Sequence, residues 1–217
     1  MEFNYIDDGI NAVVIDNFYT EEQLKEIMLE LKWLTKPSIL RNQDTLSSAK
    51  DLNSGKILTS KKGIFLEQVF KNFEHSALMK HPRDNITNDF VKNKLLEFNT
   101  LFRILYHCDT STHLLSYYEN SDYYKPHNDI TVFTILNYFF VEPKKFEGGN
   151  IKLFSSNSDK TADIELRNNR VIIIAGCTAH EVTKITSELN NSLSGDGRYC
   201  NAIFLNMRGD PPQEQNK

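Results

Sequence analysis

The amino-acid sequence predicts an α+β fold in which helices come first and at least seven short strands follow, closing into a sandwich or barrel. Apolar residues recur at helical spacing in the N-terminal half, whereas short β-rich segments separated by turn residues make up the C-terminal half. The chain has 217 residues, which suits one domain with a sizeable core. We expect a single domain over residues 1–217. Residues 1–110 would supply a strand, helices and a substrate loop, and residues 111–207 would form the strand-rich core with the functional site.

The first predicted elements are a strand and a helix. Residues 12–18, AVVIDNF, are apolar and β-branched, which favours a strand. Thr20 and Gln23 have the spacing of a capping box, so a helix is expected to begin after Thr20. Its apolar positions predict one buried face: Leu24, Ile27, Met28, Leu31 and Leu34. Two further helical regions are predicted over residues 65–73 and 88–102.

Residues 36–62 form a long polar connection rich in Ser, Asn, Asp and Lys. A connection of this length without structure of its own is usually mobile or functional, often as a lid. We therefore expect this segment to fold over a bound substrate.

The strands predicted for the C-terminal half are short and bounded by turn residues such as Gly148-Gly149 and Asn168-Asn169. Apolar, β-branched and aromatic residues dominate them, as is typical of strands in a packed sheet. They cover residues 113–119, 131–141, 150–154, 162–166, 170–176, 181–185 and 198–206.

Composition and charge exclude several classes of protein. The formal net charge is -4, so the chain as a whole is not an electrostatic partner for nucleic acid or for an anionic membrane. The lysine pairs Lys61-Lys62 and Lys144-Lys145 still allow a local basic patch. Cys108, Cys177 and Cys200 form no CxxC pair and predict free thiols in a reducing compartment. The N-terminus lacks the apolar run of a signal peptide and no segment is apolar enough to span a membrane, so we expect a cytoplasmic protein.

The segment YYKPHND, residues 123–129, carries the first candidate metal ligands. His127 and Asp129 are two residues apart, and in an extended segment both side chains point to the same side of the chain. Pro126 favours this conformation because it cannot join a helix interior. Taken alone, the pair also fits two surface residues beside a turn.

A third candidate ligand follows further along the chain. The segment RVIIIAGCTAHEV has the pattern of a buried strand and a turn, followed by His180. Two histidines and one carboxylate form the facial triad that holds Fe(II) and leaves three coordination positions open. We therefore regard His127, Asp129 and His180 as candidate metal ligands, with zinc as an alternative occupant of the same donors.

Arg198 opens the last predicted strand, RYCNAIFLN. An arginine that projects into a β-lined cavity needs an anionic partner, since burying an unpaired charge is costly. Its guanidinium group can bind a carboxylate through two parallel hydrogen bonds. Arg198 is therefore a candidate for holding the far carboxylate of a dicarboxylic co-substrate whose other end chelates the metal. The alternative is a surface arginine after the loop SLSGDG.

These motifs together resemble a known family. Their order along the chain is Tyr118, His127-x-Asp129, Gly148-Gly149, the segment RVIIIAGCTAHEV with His180, and GRYCNAIFL with Arg198. This order resembles the Fe(II)/2-oxoglutarate-dependent oxygenases of the prolyl 4-hydroxylase type, closely over residues 113–206 and in outline over residues 12–102. The resemblance implies a double-stranded β-helix, or jelly-roll, core with flanking N-terminal helices.

The resemblance also implies a role for each candidate residue. His127, Asp129 and His180 would coordinate the iron. Arg198 would pair with the distal carboxylate of 2-oxoglutarate, and the Tyr118 hydroxyl would contact the same co-substrate. Fe(II), 2-oxoglutarate and O₂ are the implied cofactors, with ascorbate as the reductant.

The sequence departs from the family pattern at two places. In many relatives the basic residue follows the distal histidine more closely, whereas Arg198 comes 18 residues after His180. We therefore interpret residues 186–197 as an inserted loop and keep Lys184 as the alternative partner of 2-oxoglutarate. Cys200 stands where many relatives have a hydroxyl residue, and because a thiol is a poorer donor we expect an altered affinity for 2-oxoglutarate.

The leading functional prediction is hydroxylation of an unactivated C–H group, on a prolyl residue of a peptide or protein, with release of succinate and CO₂. The first alternative is the same chemistry on a small molecule or another amino-acid side chain. Alkylation-repair oxygenases, which act on nucleic acid, carry a second arginine six residues after the first, where this chain has Phe204. A non-enzymatic or zinc-binding jelly roll is the remaining alternative. The sequence makes no prediction of oligomeric state.

Overall fold

The computed structural model describes residues 1–42, 50–51, 54–188 and 192–208. Their strands build two antiparallel sheets that enclose an apolar layer, and the helices pack on the other face of the larger sheet. This arrangement confirms the predicted α+β organisation.

Three α-helices and thirteen strands lie within the described residues. The helices are α1 (Glu21–Leu34), α2 (Ala77–Ile86) and α3 (Asp89–Phe98), and 3₁₀ segments cover Leu66–Gln68, Phe73–His75 and Thr100–His107. The strands are β1 (Glu2–Ile6), β2 (Ala12–Asp16), β3 (Arg41–Asn42), β4 (Thr59–Ser60), β5 (Lys62–Phe65), β6 (Thr110–Tyr118), β7 (Tyr123–His127), β8 (Phe133–Phe139), β9 (Ile151–Phe154), β10 (Thr161–Ile164), β11 (Arg170–Ala175), β12 (His180–Val182) and β13 (Arg198–Asn206). No helix in this part of the chain is long and apolar enough to cross a lipid bilayer.

The larger sheet has the strand order β1-β2-β11-β8-β13-β6-β5-β3, and the smaller sheet has the order β10-β9-β12-β7-β4. All seven strands predicted for the C-terminal half overlap an observed strand, and the strand predicted over residues 12–18 is β2. The prediction missed β1, β3, β4 and β5. Of these, β3 and β4 lie within the predicted loop of residues 36–62, the rest of which falls partly outside the described residues.

Residues of the central strands alternate between two apolar layers. In β2, Val13 and Ile15 pack in the layer that contains the helices, whereas Val14 packs in the layer between the sheets. In β11, Ile173 belongs to the helical layer and Ile172 to the layer between the sheets. Because both faces of these strands are buried, their sequences are continuous apolar runs instead of alternating ones.

The capping box predicted at the start of α1 is confirmed. The Thr20 hydroxyl accepts a hydrogen bond of 3.2 Å from the Gln23 N–H, and the Gln23 side chain accepts one of 3.1 Å from the Thr20 N–H. The predicted apolar face also packs on the core, with Ile27, Leu31 and Leu34 fully buried and Leu24 and Met28 partly buried.

The two other predicted helical regions differ from the structure. The helix predicted over residues 65–73 is wrong, because Phe65 ends β5 and Leu66–Gln68 form a 3₁₀ turn whose buried Leu66 side chain packs in the core. Of the apolar residues here only Phe65 takes part in the pairing of β5 with β6. The region over residues 88–102 is helical as predicted, but it divides into α3 and the 3₁₀ segment Thr100–His107.

Helix α2, which the sequence analysis missed, contains Pro82 in its interior. Proline lacks the N–H that would donate to the carbonyl four residues earlier, here that of Leu78. That carbonyl instead accepts a hydrogen bond of 2.7 Å from the Asn201 side chain in β13. A contact distant in sequence thus satisfies the carbonyl that the proline leaves without its helical partner.

The turn at Gly148-Gly149 has a left-handed backbone, with φ of 74° and 73°. A Cβ atom on Gly148 would lie 2.1 Å from the backbone oxygen of Lys184. A Cβ atom on Gly149 would lie 2.9 Å from Cδ of Arg198. Glycine is therefore required here both by the backbone conformation and by the close approach of neighbouring atoms.

We expect Gly148→Ala to lower the free energy of unfolding by more than Gly55→Ala does. Both glycines have positive φ, at 74° and 67°, so alanine costs about 1–2 kcal/mol of backbone strain at either position. At Gly148 the new Cβ would also meet backbone atoms, whereas nothing lies within 4 Å of a Cβ on Gly55. Urea denaturation of both variants measures the difference, and equal losses of stability would contradict the close packing of the turn.

Candidate active site

The pairing of β7 with β12 brings two predicted metal ligands together. In this antiparallel pair His127 lies directly opposite His180. The centroids of the two imidazole rings are 4.3 Å apart. Both side chains are almost completely buried, at 5% exposure each. The predicted extended conformation of residues 123–127 is therefore observed, and it presents His127 to the interior.

Asp129 follows β7 and completes the cluster. Its Oδ1 atom lies 3.7 Å from Nε2 of His127, and its Oδ2 atom lies 3.7 Å from Nε2 of His180. One potential ligand atom from each of the three residues falls within 4.8 Å of the others. The structure thus brings together all three residues that the sequence analysis selected as metal ligands.

Backbone carbonyls orient both histidines. Nδ1 of His127 lies 2.9 Å from the Lys125 carbonyl oxygen, and Nδ1 of His180 lies 3.0 Å from that of Thr178. Because a carbonyl only accepts hydrogen bonds, Nδ1 donates in each case and the Nε2 lone pair of the neutral ring remains free. Histidines that bind metals are commonly fixed by a second hydrogen bond of this kind.

The surroundings of His127 favour its uncharged form. Burial, with a further contribution from neighbouring His180, lowers the pKa of His127 well below its usual value. Metal ions bind the neutral imidazole, so the site does not have to lose a proton from this ring at neutral pH. Asp129 is held by Thr134, whose hydroxyl donates a hydrogen bond of 2.7 Å to Oδ2.

The cluster opens into a cavity of about 420 Å³ between the two sheets. Strand register orders the side chains along its wall on the larger sheet. Arg198 in β13 lies opposite Tyr118 in β6. Two residues further along β13, on the same face of the sheet, Cys200 lies between Ser116 in β6 and Tyr138 in β8. All five side chains line the cavity.

Arg198 is buried at one end of this cavity, with 1% exposure. Its Nε donates a hydrogen bond of 2.9 Å to the Gly149 carbonyl, and its guanidinium carbon lies 4.7 Å from the ring centres of both Tyr118 and Tyr138. Its Nη1 atom makes no hydrogen bond to the described residues. A buried cationic donor without an acceptor is costly, so this end of the cavity suits an anionic ligand.

Tyr118 lies where the sequence analysis expected a contact with the co-substrate. It is 2% exposed and lines the cavity next to Arg198. Burial raises the pKa of Tyr118 above its ordinary value, so the phenol keeps its proton and can act as a hydrogen-bond donor. The contact itself stays a prediction.

Tyr138 is a cavity residue that the sequence analysis missed. In the sequence it is one residue of an apolar strand, yet its hydroxyl is buried without a hydrogen-bond partner among the described residues. Its position beside Cys200 depends on the pairing of β8 with β13, which are far apart in sequence. Local sequence alone carries no signal for that neighbour.

Lys61 is a second residue that sequence reasoning missed. The pair Lys61-Lys62 leaves a local basic patch possible in the sequence, but in the structure Lys62 forms an ion pair with Glu119 and Lys61 does not take part in it. Lys61 is 7% exposed and lines the cavity, where its ammonium group donates a hydrogen bond of 2.9 Å to the Ser116 hydroxyl. The alternation of side chains along an extended segment was the available signal, because it places adjacent lysines on opposite faces.

Two further expectations concern residues near Arg198. Lys184, the alternative partner of 2-oxoglutarate, is exposed and is not part of the cavity lining. Cys200 is buried in the lining, and burial raises the pKa of its thiol. Residues 189–191 of the predicted inserted loop lie outside the described residues.

Comparisons with known proteins relate this geometry to a family. The model of the 2OG-Fe(II) oxygenase superfamily matches residues 104–205, a segment that contains the His-Asp-His cluster together with Tyr118 and Arg198. No curated protein matches the chain.

The fold is similar to those of three solved prolyl hydroxylases. A prolyl 4-hydroxylase from Pseudomonas putida matches with a TM-score of 0.62 and 11% identity, over 92% of this chain and 94% of that chain. A prolyl hydroxylase from Trichoplax adhaerens, in complex with a hypoxia inducible factor oxygen degradation domain peptide fragment, matches with a TM-score of 0.61 and 14% identity. This match covers 92% of this chain and 84% of that chain. A prolyl 4-hydroxylase from Phytophthora capsici matches with a TM-score of 0.56 and 16% identity, over 92% of this chain and 60% of that chain.

Residues 104–205 thus match the model of the 2OG-Fe(II) oxygenase superfamily, and the fold is similar to that of the prolyl hydroxylases. The predicted family resemblance is thereby confirmed, as is the predicted double-stranded β-helix with flanking N-terminal helices. The family implies Fe(II), 2-oxoglutarate and O₂, and the His-Asp-His cluster offers a potential metal site.

We expect Thr134→Val to weaken the binding of Mn(II), used as a redox-stable metal probe, by about tenfold or more. The substitution removes the hydroxyl that holds the Asp129 carboxylate and keeps the volume of the side chain nearly unchanged. Titration of the metal-free protein against a chelator measures the affinity. Thr112→Val, at an exposed position of the same cavity, is the control and should bind Mn(II) like the unmodified protein.

Proposed function

We propose that the protein is an Fe(II)- and 2-oxoglutarate-dependent dioxygenase that hydroxylates an unactivated C–H group, with His127, Asp129 and His180 as the iron ligands. One observation carries the proposal. Three neutral or anionic donors of the types that Fe(II) prefers converge in a buried cavity, and an arginine with an unpaired N–H is buried in the same cavity. A ligand that is a chelator at one end and a carboxylate at the other fits both features.

The donor set fits the metal that the family implies. Two imidazoles with free Nε2 lone pairs and one carboxylate form a facial triad that leaves positions for a chelating co-substrate and for O₂. When bound, Fe(II) supplies the redox chemistry that couples oxidation of the co-substrate to oxidation of the substrate. The chain itself holds the ligands in place through the carbonyl oxygens of Lys125 and Thr178 and through the Thr134 hydroxyl.

The second part of the proposal is that Arg198 binds the distal carboxylate of 2-oxoglutarate. Its unpaired Nη1 supports this role, since a carboxylate would supply the missing acceptor. The rings of Tyr118 and Tyr138 hold the guanidinium group between them, and their hydroxyls are further donors at this end of the cavity. The Gly149 carbonyl fixes the third side of the guanidinium group.

The proposed reaction conserves atoms and electrons. Substrate C–H, 2-oxoglutarate and O₂ give substrate C–OH, succinate and CO₂, so that one oxygen atom enters the substrate and the other enters succinate. The walls of the cavity are largely apolar, with Leu136, Ile151, Val182 and Ala202 among the lining residues. They would exclude water from the reacting groups. Ascorbate is proposed as the reductant that keeps the metal in its ferrous state.

As the substrate we propose a prolyl residue in a peptide or protein. The support is the similarity of fold to prolyl hydroxylases, one of which is described in complex with a peptide fragment. The segment that follows Asp129 at the cavity is also open to such a partner, because Ile130 is fully exposed. We further propose that residues 1–217 act as one catalytic domain, since strands from the N-terminal part extend both sheets.

We expect His127→Ala and Asp129→Ala to abolish the formation of succinate from 2-oxoglutarate, because each removes one of three proposed iron ligands. His75→Ala is the matched control, since His75 is exposed and lies outside the cavity lining. Succinate is measured after incubation with Fe(II), ascorbate and 2-oxoglutarate in air. Equal succinate formation by all three variants would refute the metal site.

We expect Arg198→Met to raise the KM for 2-oxoglutarate by about tenfold to a hundredfold, since a charge-assisted hydrogen bond contributes about 1.5–3 kcal/mol. Lys184→Met should leave this KM unchanged. Loss of 2-oxoglutarate affinity in the Lys184 variant, with normal affinity in the Arg198 variant, would reverse the assignment.

Incubation with proline-containing peptides tests the substrate class. The expected result is a peptide that gains the mass of one oxygen atom on proline, in an amount equal to the succinate formed. Succinate formation stimulated only by compounds without proline would reject the prolyl substrate and keep the oxygenase. A protein that binds zinc tightly and gives no charge-transfer band with Fe(II) and 2-oxoglutarate under anaerobic conditions would reject the oxygenase as well.

A further inference from the structure

Lys61 lies at the point where the chain crosses between the two sheets. Thr59 of β4 pairs with Tyr124 of β7 in the smaller sheet, and Lys62 of β5 pairs with Tyr117 of β6 in the larger sheet. Lys61 stands between these two strands. This corner closes one side of the cavity, and the Lys61 side chain lines the interior.

The ammonium group of Lys61 is buried without a carboxylate at ion-pair distance among the described residues, and Asp129 acts on it only from farther away. It donates a hydrogen bond to the neutral Ser116 hydroxyl and lies 5.0 Å from the ring centre of Tyr124 and 5.9 Å from that of Tyr118. None of the ion pairs among the described residues includes it. Neighbouring Lys62, by contrast, pairs with Glu119. A buried lysine normally has a carboxylate partner, because an isolated charge away from water is costly.

The charges of the proposed site balance without Lys61. Fe(II) brings two positive charges and Arg198 one, while Asp129 brings one negative charge and 2-oxoglutarate two. The protonated Lys61 therefore adds one positive charge that the metal, the co-substrate and their ligands do not neutralise. Burial lowers the pKa of Lys61 to about 8, which still leaves the ammonium form predominant at neutral pH.

The ammonium group is also close to the metal ligands. The Tyr124 ring, 5.0 Å from the Lys61 nitrogen, stacks on the His127 imidazole with a centroid distance of 3.5 Å. The nitrogen is therefore no farther from the imidazole than the sum of these two short distances. Lys61 and His127 also line the same cavity.

We propose that Lys61 forms an anion-binding subsite inside the cavity and that the primary substrate presents a carboxylate group to it. The proposal rests on the proposed function, because it concerns the substrate of that same site. The carboxylate supplies the missing negative charge and accepts the ammonium protons that Ser116 leaves free. An acidic substrate is thereby distinguished from its amide by charge as well as by shape.

Matched acids and amides test the subsite. The probes are a set of free amino acids and short proline peptides, each supplied once as the carboxylate and once as the primary amide. Stimulated succinate formation and the mass gain of one oxygen atom are measured for each. For the unmodified protein we expect the acid of at least one pair to exceed its amide in kcat/KM by about tenfold or more.

Three variants assign that preference to Lys61. Lys61→Met, which keeps the length of the stem and removes the charge, should lose the preference for the acid, and Lys61→Arg should keep part of it. Lys62→Met removes a lysine that pairs with Glu119 outside the cavity lining, so it should keep the preference in full. The subsite is overturned if the acid and the amide of every pair stimulate succinate formation equally, or if neither stimulates it. It is also overturned if the preference for the acid survives in Lys61→Met.

Binding of 2-oxoglutarate separates this proposal from the function on which it rests. The anaerobic charge-transfer band of Fe(II) with 2-oxoglutarate should appear at the same co-substrate concentration in Lys61→Met as in the unmodified protein. A marked loss of 2-oxoglutarate affinity would assign Lys61 to the co-substrate and overturn the subsite. Absence of the band and of succinate in the unmodified protein would overturn the proposed function, and the subsite with it.

Discussion

The pairing of β7 with β12 is the constraint on which the site depends. His180 lies opposite His127, but two residues later Val182 lies opposite Tyr124, so β7 carries one extra residue across this stretch. Such a bulge aims side chains differently from a regular ladder and tolerates a proline, here Pro126. It also leaves the Lys125 carbonyl free to accept the hydrogen bond that orients His127. Because a shift of register by one residue would turn each side chain to the other face, the two histidines meet only in this pairing.

The opposite face of β13 holds the larger sheet against the helices with buried polar contacts. Asn201 accepts at its carbonyl a hydrogen bond of 2.9 Å from Asn137 in β8, and its side chain donates to the Leu78 carbonyl in α2. Asn137 in turn accepts a hydrogen bond of 2.5 Å from the Tyr19 hydroxyl just before α1. These buried hydrogen bonds fix the distance between β8, β13 and the helices. The cavity residues on the other face of the same strands, Tyr138 and Arg198 among them, thereby occupy defined positions.

Sequence patterns predicted the parts of this molecule that depend on local chemistry. The apolar runs of β8, β11 and β13, the capping box of α1 and the extended HxD segment all follow from neighbours within a few residues. The errors concern partners that are distant in sequence. Pro82 interrupts the sequence pattern of a helix, whereas in the structure Asn201 of β13 satisfies the Leu78 carbonyl that the proline leaves without its helical partner. Lys61 and Tyr138 enter the cavity because of the strands beside them, and an isolated sequence does not specify which strands those are.

The long spacing between His180 and Arg198 has a simple structural basis. The connection is fixed at both ends before the described chain reaches β13: Thr186 bridges to Glu147, and the N–H groups of Gly195 and Gly197 both donate to the Tyr117 hydroxyl. Because these contacts hold the two ends of the connection, β13 begins in the register that sets Arg198 opposite Tyr118, and the number of residues in the connection does not alter that register. The position of Arg198 in the cavity is therefore determined by the register of β13 in the larger sheet. The number of residues between His180 and Arg198 depends on the length of the connecting loop, whereas the register of β13 is fixed by hydrogen bonds between strands. It is this register that would bring Arg198 to a bound carboxylate.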